Sequence, residues 1–300
     1  MELWVVFTIA AAATQALRTA IQRRMTATLG NLGASYIRFS YAFPIAWLFC
    51  VLYSGYSGTA LPDLSASFWF WINLAALTQV IFTILLVQLF SHRSFAAAVA
   101  FSKTEVLQTA IFEALILGVI VTVQTGVAIA LGVFATVLLS FAKANLAVAN
   151  LRATLFSRQV AIGLAAGAFL GFCTVCYGAA LHSMVGGDVI GNAMYAAAIG
   201  TTVQAVCFGI YVFIVRREQF IASFVEWRQC GVAGVWAATT SVCWFAGFAL
   251  YSVAPVRAVG QIELLFSVGF SVLYFKERVS RVELTAIVLL ATSIIMVLLD

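Results

Sequence analysis

The sequence predicts an all-α integral membrane protein with ten transmembrane helices built as two inverted five-helix repeats, and three observations carry this prediction. Hydrophobic residues are 64% of the 300 and charged residues only 9%, with a mean hydropathy of +1.07, a balance that soluble domains do not show. Ten stretches are apolar over the roughly 20 residues needed to cross a bilayer core: 3–21, 33–53, 67–90, 95–117, 123–142, 159–181, 190–215, 229–252, 256–275 and 282–299. Finally, residues 95–138 recur in register as 253–296, a fixed internal period.

One offset of 158 joins the two copies: Glu105 with Glu263 (263 − 105), Phe90 with Phe248 (248 − 90), Ser94 with Ser252 (252 − 94) and Lys103 with Gln261 (261 − 103). The chain therefore divides into a first repeat at 1–142, a basic connection at 143–158 and a second repeat at 159–300. Five spans per half is an odd number, so the second half enters the membrane upside down, with a substrate site expected near the midplane between halves.

The net charge of +5 matters through its placement. The odd-numbered loops hold Arg23 and Arg24, Arg93, then Lys143, Arg152 and Arg158, then Arg216, Arg217 and Arg228, then Lys276, Arg278 and Arg281. The even loops hold essentially no basic residue, so the odd loops are expected in the cytoplasm and both termini on the outer face. Only Met1 and Glu2 precede the first span, which reads as retained structure and not as a cleaved signal. The loops have no room for a soluble domain and carry no Walker-type phosphate loop, which speaks against a self-contained ATP-driven pump. The six cysteines lie in or beside apolar spans, and Cys173 and Cys176 form a lone CxxC that reads as small packing residues. His92 and His182 fall in loops on opposite faces and no HExxH or GxSxG motif occurs, so no enzyme, catalytic residue, metal or cofactor is expected, and no nucleic-acid partner.

Taken in order, span one carries Gln15 and Arg18, the latter placed to snorkel to the interface beside Arg23 and Arg24. Span two carries Arg38, for which snorkelling and cavity lining both stay open, and Pro44, which should bend the helix. Trp69 and Trp71 begin span three as interface anchors. Span four holds Lys103, Glu105, Gln108 and Glu113, the densest polar set of any span. At about 100° per residue the last three share one broad face and Lys103 points away from Glu105. Lys103 must then meet a carboxylate elsewhere, or the helix is distorted there. Span five precedes the basic connection, and span six presents Gly163, Gly167 and Gly171 as a small-residue ridge for close helix contact. Span seven holds Asn192, Tyr195 and Gln204; span eight is aromatic, with Trp236, Trp244, Phe245, Phe248 and Tyr251. Span nine opens at Pro255 and continues through Arg257, Gln261 and Glu263, and an apolar span ten closes the chain.

Several of these segments resemble the EamA-type module of the drug/metabolite transporter superfamily. The resemblance is carried by Ser252-Val253-Ala254-Pro255-Val256, Glu263 downstream, Phe275-Lys276-Glu277-Arg278 before a small-residue last span, Ile37-Arg38-Phe39 in span two and the Glu105 segment. Val119 stands where the family has Glu, and 95–99 lacks the usual Pro, which leaves the first-half turn open to different packing. Ten spans with basic odd loops and a polar fourth span look most like the YddG-type exporters of aromatic amino acids. The resemblance implies a basket of ten helices in a bacterial inner membrane, spans one to four and six to nine around a central cavity, moving metabolites by alternating access.

A charge at a helix centre costs about 2.5–3.5 kcal/mol on insertion scales, so Glu105 and Glu263 must be neutralised, paired or wetted. They either pair with Arg38, Arg18, Lys103 or Arg257 to lock packing, or they meet substrate; both readings stand. The expected function is a secondary transporter, exporting small metabolites and foremost amino acids, aromatic and other apolar ones included. Its expected small-molecule site comprises Lys103, Glu105, Gln108, Gln261 and Glu263, with Arg38 and Gln15 behind them and apolar walls from Trp244, Phe248 and Tyr177. Its other partner is the lipid bilayer; the oligomeric state stays open, and a monomer is compatible with this reading. Any proton coupling would run through Glu105, Glu113 or Glu263. The alternative is a multidrug exporter of lipophilic cations on the same fold.

Overall fold

The computed structural model describes residues 2–59, 62–89, 101–143, 158–275 and 280–300. Among them the chain is almost wholly helical: α1 (Leu3–Ser40), α2 (Ala42–Ser57), α3 (Ala66–Leu89), α4 (Glu105–Leu117), α5 (Val123–Lys143), α6 (Arg158–His182), α7 (Val189–Val215), α8 (Arg217–Val225), α9 (Trp227–Leu250), α10 (Val253–Gly260), α11 (Ile262–Phe275) and α12 (Arg281–Leu298). Two short strands, β1 (Asp63–Leu64) and β2 (Met184–Val185), pair antiparallel, Asp63 opposite Val185 and Leu64 opposite Met184. Seven described stretches are long and apolar enough to cross a membrane, the first being Leu3–Ser57. The predicted turns at 91–94 and 276–279, the segment at 95–99 and the connection at 144–157 lie outside the described residues.

The 38 residues of α1 would run about 57 Å as one straight helix, well beyond the roughly 30 Å of a bilayer core. The break comes at Gly30, with φ 68° and ψ 174°, a conformation only glycine adopts without strain. The helix thus continues eight residues past the predicted end at Ile21, and Arg23 and Arg24 are helical, because no Gly or Pro interrupts before Gly30. Restarting a helix leaves backbone N–H groups without acceptors. Gln219 of α8 supplies one, its Oε1 accepting from Leu32 N and Gly33 N, both at 3.1 Å. A second interruption at Tyr41 separates α1 from α2 just before Pro44, whose ring and missing N–H oppose an uninterrupted helix.

The sequence period recurs in the helix boundaries. Lys103 and Thr104 form a turn before Glu105 opens α4, and Gln261 forms a turn before Ile262 opens α11. Adding 158 to Val123, the start of α5, reaches Arg281, the start of α12 (123 + 158). Helix distortion at Lys103 is therefore observed, and Lys103 makes no ion pair among the described residues.

Two compact units emerge, one of residues 1–80 with 173–252 and the other of 81–172 with 253–300. In the first, α1 packs chiefly on α9 and α2 on α7. Small residues allow the approach: Ala11, Ala12 and Ala16 of α1 and Ala233, Ala237 and Ala238 of α9 are buried, and a Cβ on Gly234 would lie 2.4 Å from Tyr41 Cβ. Hydrogen bonds from Tyr41 OH to Ser223 O (2.8 Å) and from Trp47 Nε1 to Thr202 Oγ1 (3.0 Å) add direction to that packing. In the second unit α5 and α12 form the largest contact. Ser293 Oγ donates to Ala128 O at 2.7 Å, and Gly132 leaves room for that hydroxyl.

Candidate functional site

The second unit holds the strongest buried chemistry. Helices α4 and α10 lie side by side, and two carboxylates of α4 grip α10 at two points. Glu113, 1% exposed, accepts from the backbone N–H of Val253 at 2.6 Å and of Ala254 at 2.8 Å. The next residue, Pro255, has no N–H to satisfy, so the carboxylate and the proline together settle three positions of that helix start. Eight residues back along α4 (113 − 105), Glu105 is 3% exposed and its Oε1 is ion-paired with Arg257 Nη2 of α10. Glu105 also sits in the first turn of α4, where the helix dipole favours negative charge.

Arg257 is thus the partner of Glu105 from among the four basic residues left open by sequence. The other carboxylate oxygen, Oε2, is buried and receives no hydrogen bond among the described residues. One turn on, Gln108 directs its amide nitrogen to Thr104 Oγ1 at 3.1 Å and toward Leu164 O at 3.5 Å, while its Oε1 is likewise buried without a donor. The glycine ridge of α6 closes on this face. A Cβ on Gly167 would sit 2.9 Å from Ser102 O, and one on Gly171 would sit 3.0 Å from Glu105 O. Gln261, at the break before α11, accepts from Thr136 Oγ1 at 2.9 Å. Glu263 lies in the first turn of α11, half-buried.

The first unit carries a second polar cluster, which has the cationic side chains of Arg18 and Arg38. Gln79 Oε1 accepts from Tyr177 OH at 3.0 Å and from the Gln204 amide, which also donates to the Tyr177 oxygen. Arg38 stands over the Phe39 ring, its Cζ 4.4 Å from the centroid, within electrostatic reach of Arg18, Cys173 and Tyr177. Trp244 donates its indole N–H to Gln15 Oε1 at 2.9 Å and stacks on Phe248 with ring centroids 5.8 Å apart. Tyr177, Trp244 and Phe248 are all buried, at 2%, 8% and 2% exposure.

The structure therefore gathers Lys103, Glu105, Gln108, Gln261 and Glu263 in one unit and Arg38, Gln15, Tyr177, Trp244 and Phe248 in the other. Gln79 is a residue that the sequence reading does not single out, although an amide midway along an apolar span, between Asn73 and Gln88, is the signal that could have found it. Glu113 was noted as polar but not as a cap, because its acceptor role depends on backbone donors 140 residues away.

No family model matches the chain, and no curated protein matches it. Among solved structures, 27 chains match. One, a crystal structure of a protein, is 13% identical and superposes with a TM-score of 0.72 over 99% of this chain and 96% of its own. At that identity the likeness shows that the fold is a known one, extending over nearly the full length of both chains.

Proposed function

We propose that this chain is a secondary transporter that exports small metabolites, foremost amino acids with aromatic or other apolar side chains, by alternating access. One observation carries the reading: the Glu105–Arg257 ion pair, and two acceptor oxygens that receive no donor among the described residues, are buried inside apolar helices. Ionisable groups in such helices are costly and mark pathways for polar solutes. A zwitterion needs an anionic and a cationic partner, and Glu105 and Arg257 supply both within one unit. The first unit separately buries the aromatic rings of Tyr177, Trp244 and Phe248.

The finer architecture belongs to the same proposal: ten spans in two inverted five-helix repeats of the EamA type, odd loops cytoplasmic and both termini outside, in a bacterial inner membrane. The shared helix starts at Val123 and Arg281, and the shared interruptions at Lys103 and Gln261, support the repeat.

Purified protein reconstituted in liposomes tests the function with a panel of radiolabelled amino acids and an imposed pH gradient. Uptake of an aromatic or aliphatic amino acid is expected. A gradient-dependent rate would assign proton coupling, and an independent one facilitated diffusion. Transport of no amino acid, or transport of quaternary ammonium compounds that amino acids do not compete, would overturn the reading in favour of a multidrug exporter.

A further inference from the structure

Two buried acceptors on one face of α4 have no donor among the described residues. Glu105 gives one oxygen to Arg257 and keeps Oε2 empty, and Gln108 keeps Oε1 empty, among the described residues. A buried acceptor left unmatched costs free energy, and folded proteins leave few of them. The amide of Gln108 cannot solve this by flipping, because its nitrogen is held toward Thr104 Oγ1 and Leu164 O. Residues three apart on a helix have Cβ atoms about 5–6 Å from each other, so the two side chains are neighbours on one face of α4. The facing helix α6 contributes a glycine there: a Cβ on Gly167 would come within 3.4 Å of Gln108 Oε1. Any larger side chain would cover the oxygen.

We propose that Glu105 Oε2 and Gln108 Oε1 form a subsite for a primary ammonium group. An ammonium carries three donors and no acceptor, which suits a pair of bare acceptors, one of them charged. Because Arg257 already balances Glu105, the pair with a zwitterion keeps zero net charge, whereas a bare carboxylate has nothing to gain from these two oxygens. The inference deepens the transporter reading and rests on it for the identity of the natural ligand.

Calorimetric titration of the purified full-length protein in detergent tests it with three probes that share a phenyl ring: phenylalanine, phenethylamine and 3-phenylpropionate. Phenylalanine and phenethylamine should bind at least tenfold more tightly than 3-phenylpropionate. Equal affinity for all three overturns the subsite, and binding of none overturns both the subsite and the amino-acid reading. Phenethylamine bound without phenylalanine would keep the subsite and remove only the amino-acid reading. Gln108→Leu should weaken both amines at least tenfold. Gln108→Glu, which keeps the shape, should tighten them, and unchanged or weaker amine binding by Gln108→Glu contradicts the assignment. Replacing choline chloride with sodium chloride should leave phenethylamine affinity unchanged; a tenfold loss would give the oxygens to an inorganic cation instead.

Discussion

Glu113 and Glu105 occupy the two ends of one buried helix face and do opposite things with the same carboxylate. Glu113 meets two backbone N–H groups at 2.6 and 2.8 Å, donors that cannot leave without unravelling the start of α10. Glu105 meets a guanidinium on a long flexible side chain with one oxygen and, among the described residues, nothing with the other. The first is a fixture of the fold. The second can exchange its partner, which is what a site on a transport route requires. A carboxylate in an apolar helix is therefore read by what its donors can do, and not by its burial, which hardly differs between the two.

The sharpest way to break that comparison is to remove Arg257. Arg257→Met leaves Glu105 buried and uncompensated, and should cost about 3–5 kcal/mol of unfolding free energy in detergent. The double replacement Glu105→Met with Arg257→Met should recover most of that loss, since an apolar pair of similar volume needs no compensation, yet it should abolish transport. A double variant as unstable as the single one would mean that the pair is not an independent element.

Glu113→Gln comes next. One backbone N–H would face an amide nitrogen in place of an oxygen, a loss of about 1–3 kcal/mol, read as a lower midpoint of thermal unfolding with transport per folded molecule retained. Gln219→Leu removes an uncharged cap of the same kind from Leu32 and Gly33, and should cost about 1 kcal/mol by the same measurement.

Asp188 is the half-buried counterpart of Glu113 near the helix end. It caps α7 through Ile190 N at 3.1 Å and Gly191 N at 3.0 Å, and also accepts from Tyr53 OH and Thr59 Oγ1. Partial desolvation pulls its pKa upward, but the bonds from Gly191, Tyr53, Thr59 and Ile190 together outweigh it and hold the carboxyl below the ordinary value. A folded-state pKa below the unfolded one gives stability that is present above about pH 4 and is lost as pH falls through the folded value. Unfolding midpoints measured from pH 5 downward should therefore fall for the wild type and fall less steeply for Asp188→Asn. Equal slopes would remove Asp188 as the titrating cap. This is the smallest expected effect, because the group is near water.

Most of the helical layout was legible because apolar length alone demands it, and the starts of α5 and α12 fall at or within one residue of the predicted spans at 123 and 282. Pro44 marked a real interruption for a local steric reason. The break at Gly30 and the helix α8 were not legible. Their geometry depends on Gln219 reaching Leu32 and Gly33, a contact across 187 and 186 residues that no local pattern announces. In the site, the polar face of α4 could be read from spacing, whereas the division of labour between Glu105 and Glu113 could not. Both are glutamates in an apolar run, and only the register of α10 decides which meets Arg257 and which meets bare backbone.

The most direct test of the account is phenylalanine counterflow in proteoliposomes, comparing Glu105→Gln with Glu113→Gln at equal amounts of folded, reconstituted protein. The account predicts that Glu105→Gln loses at least tenfold in initial rate while Glu113→Gln stays within about threefold of wild type. Equal rates for wild type and Glu105→Gln, or a collapse confined to Glu113→Gln, would contradict it.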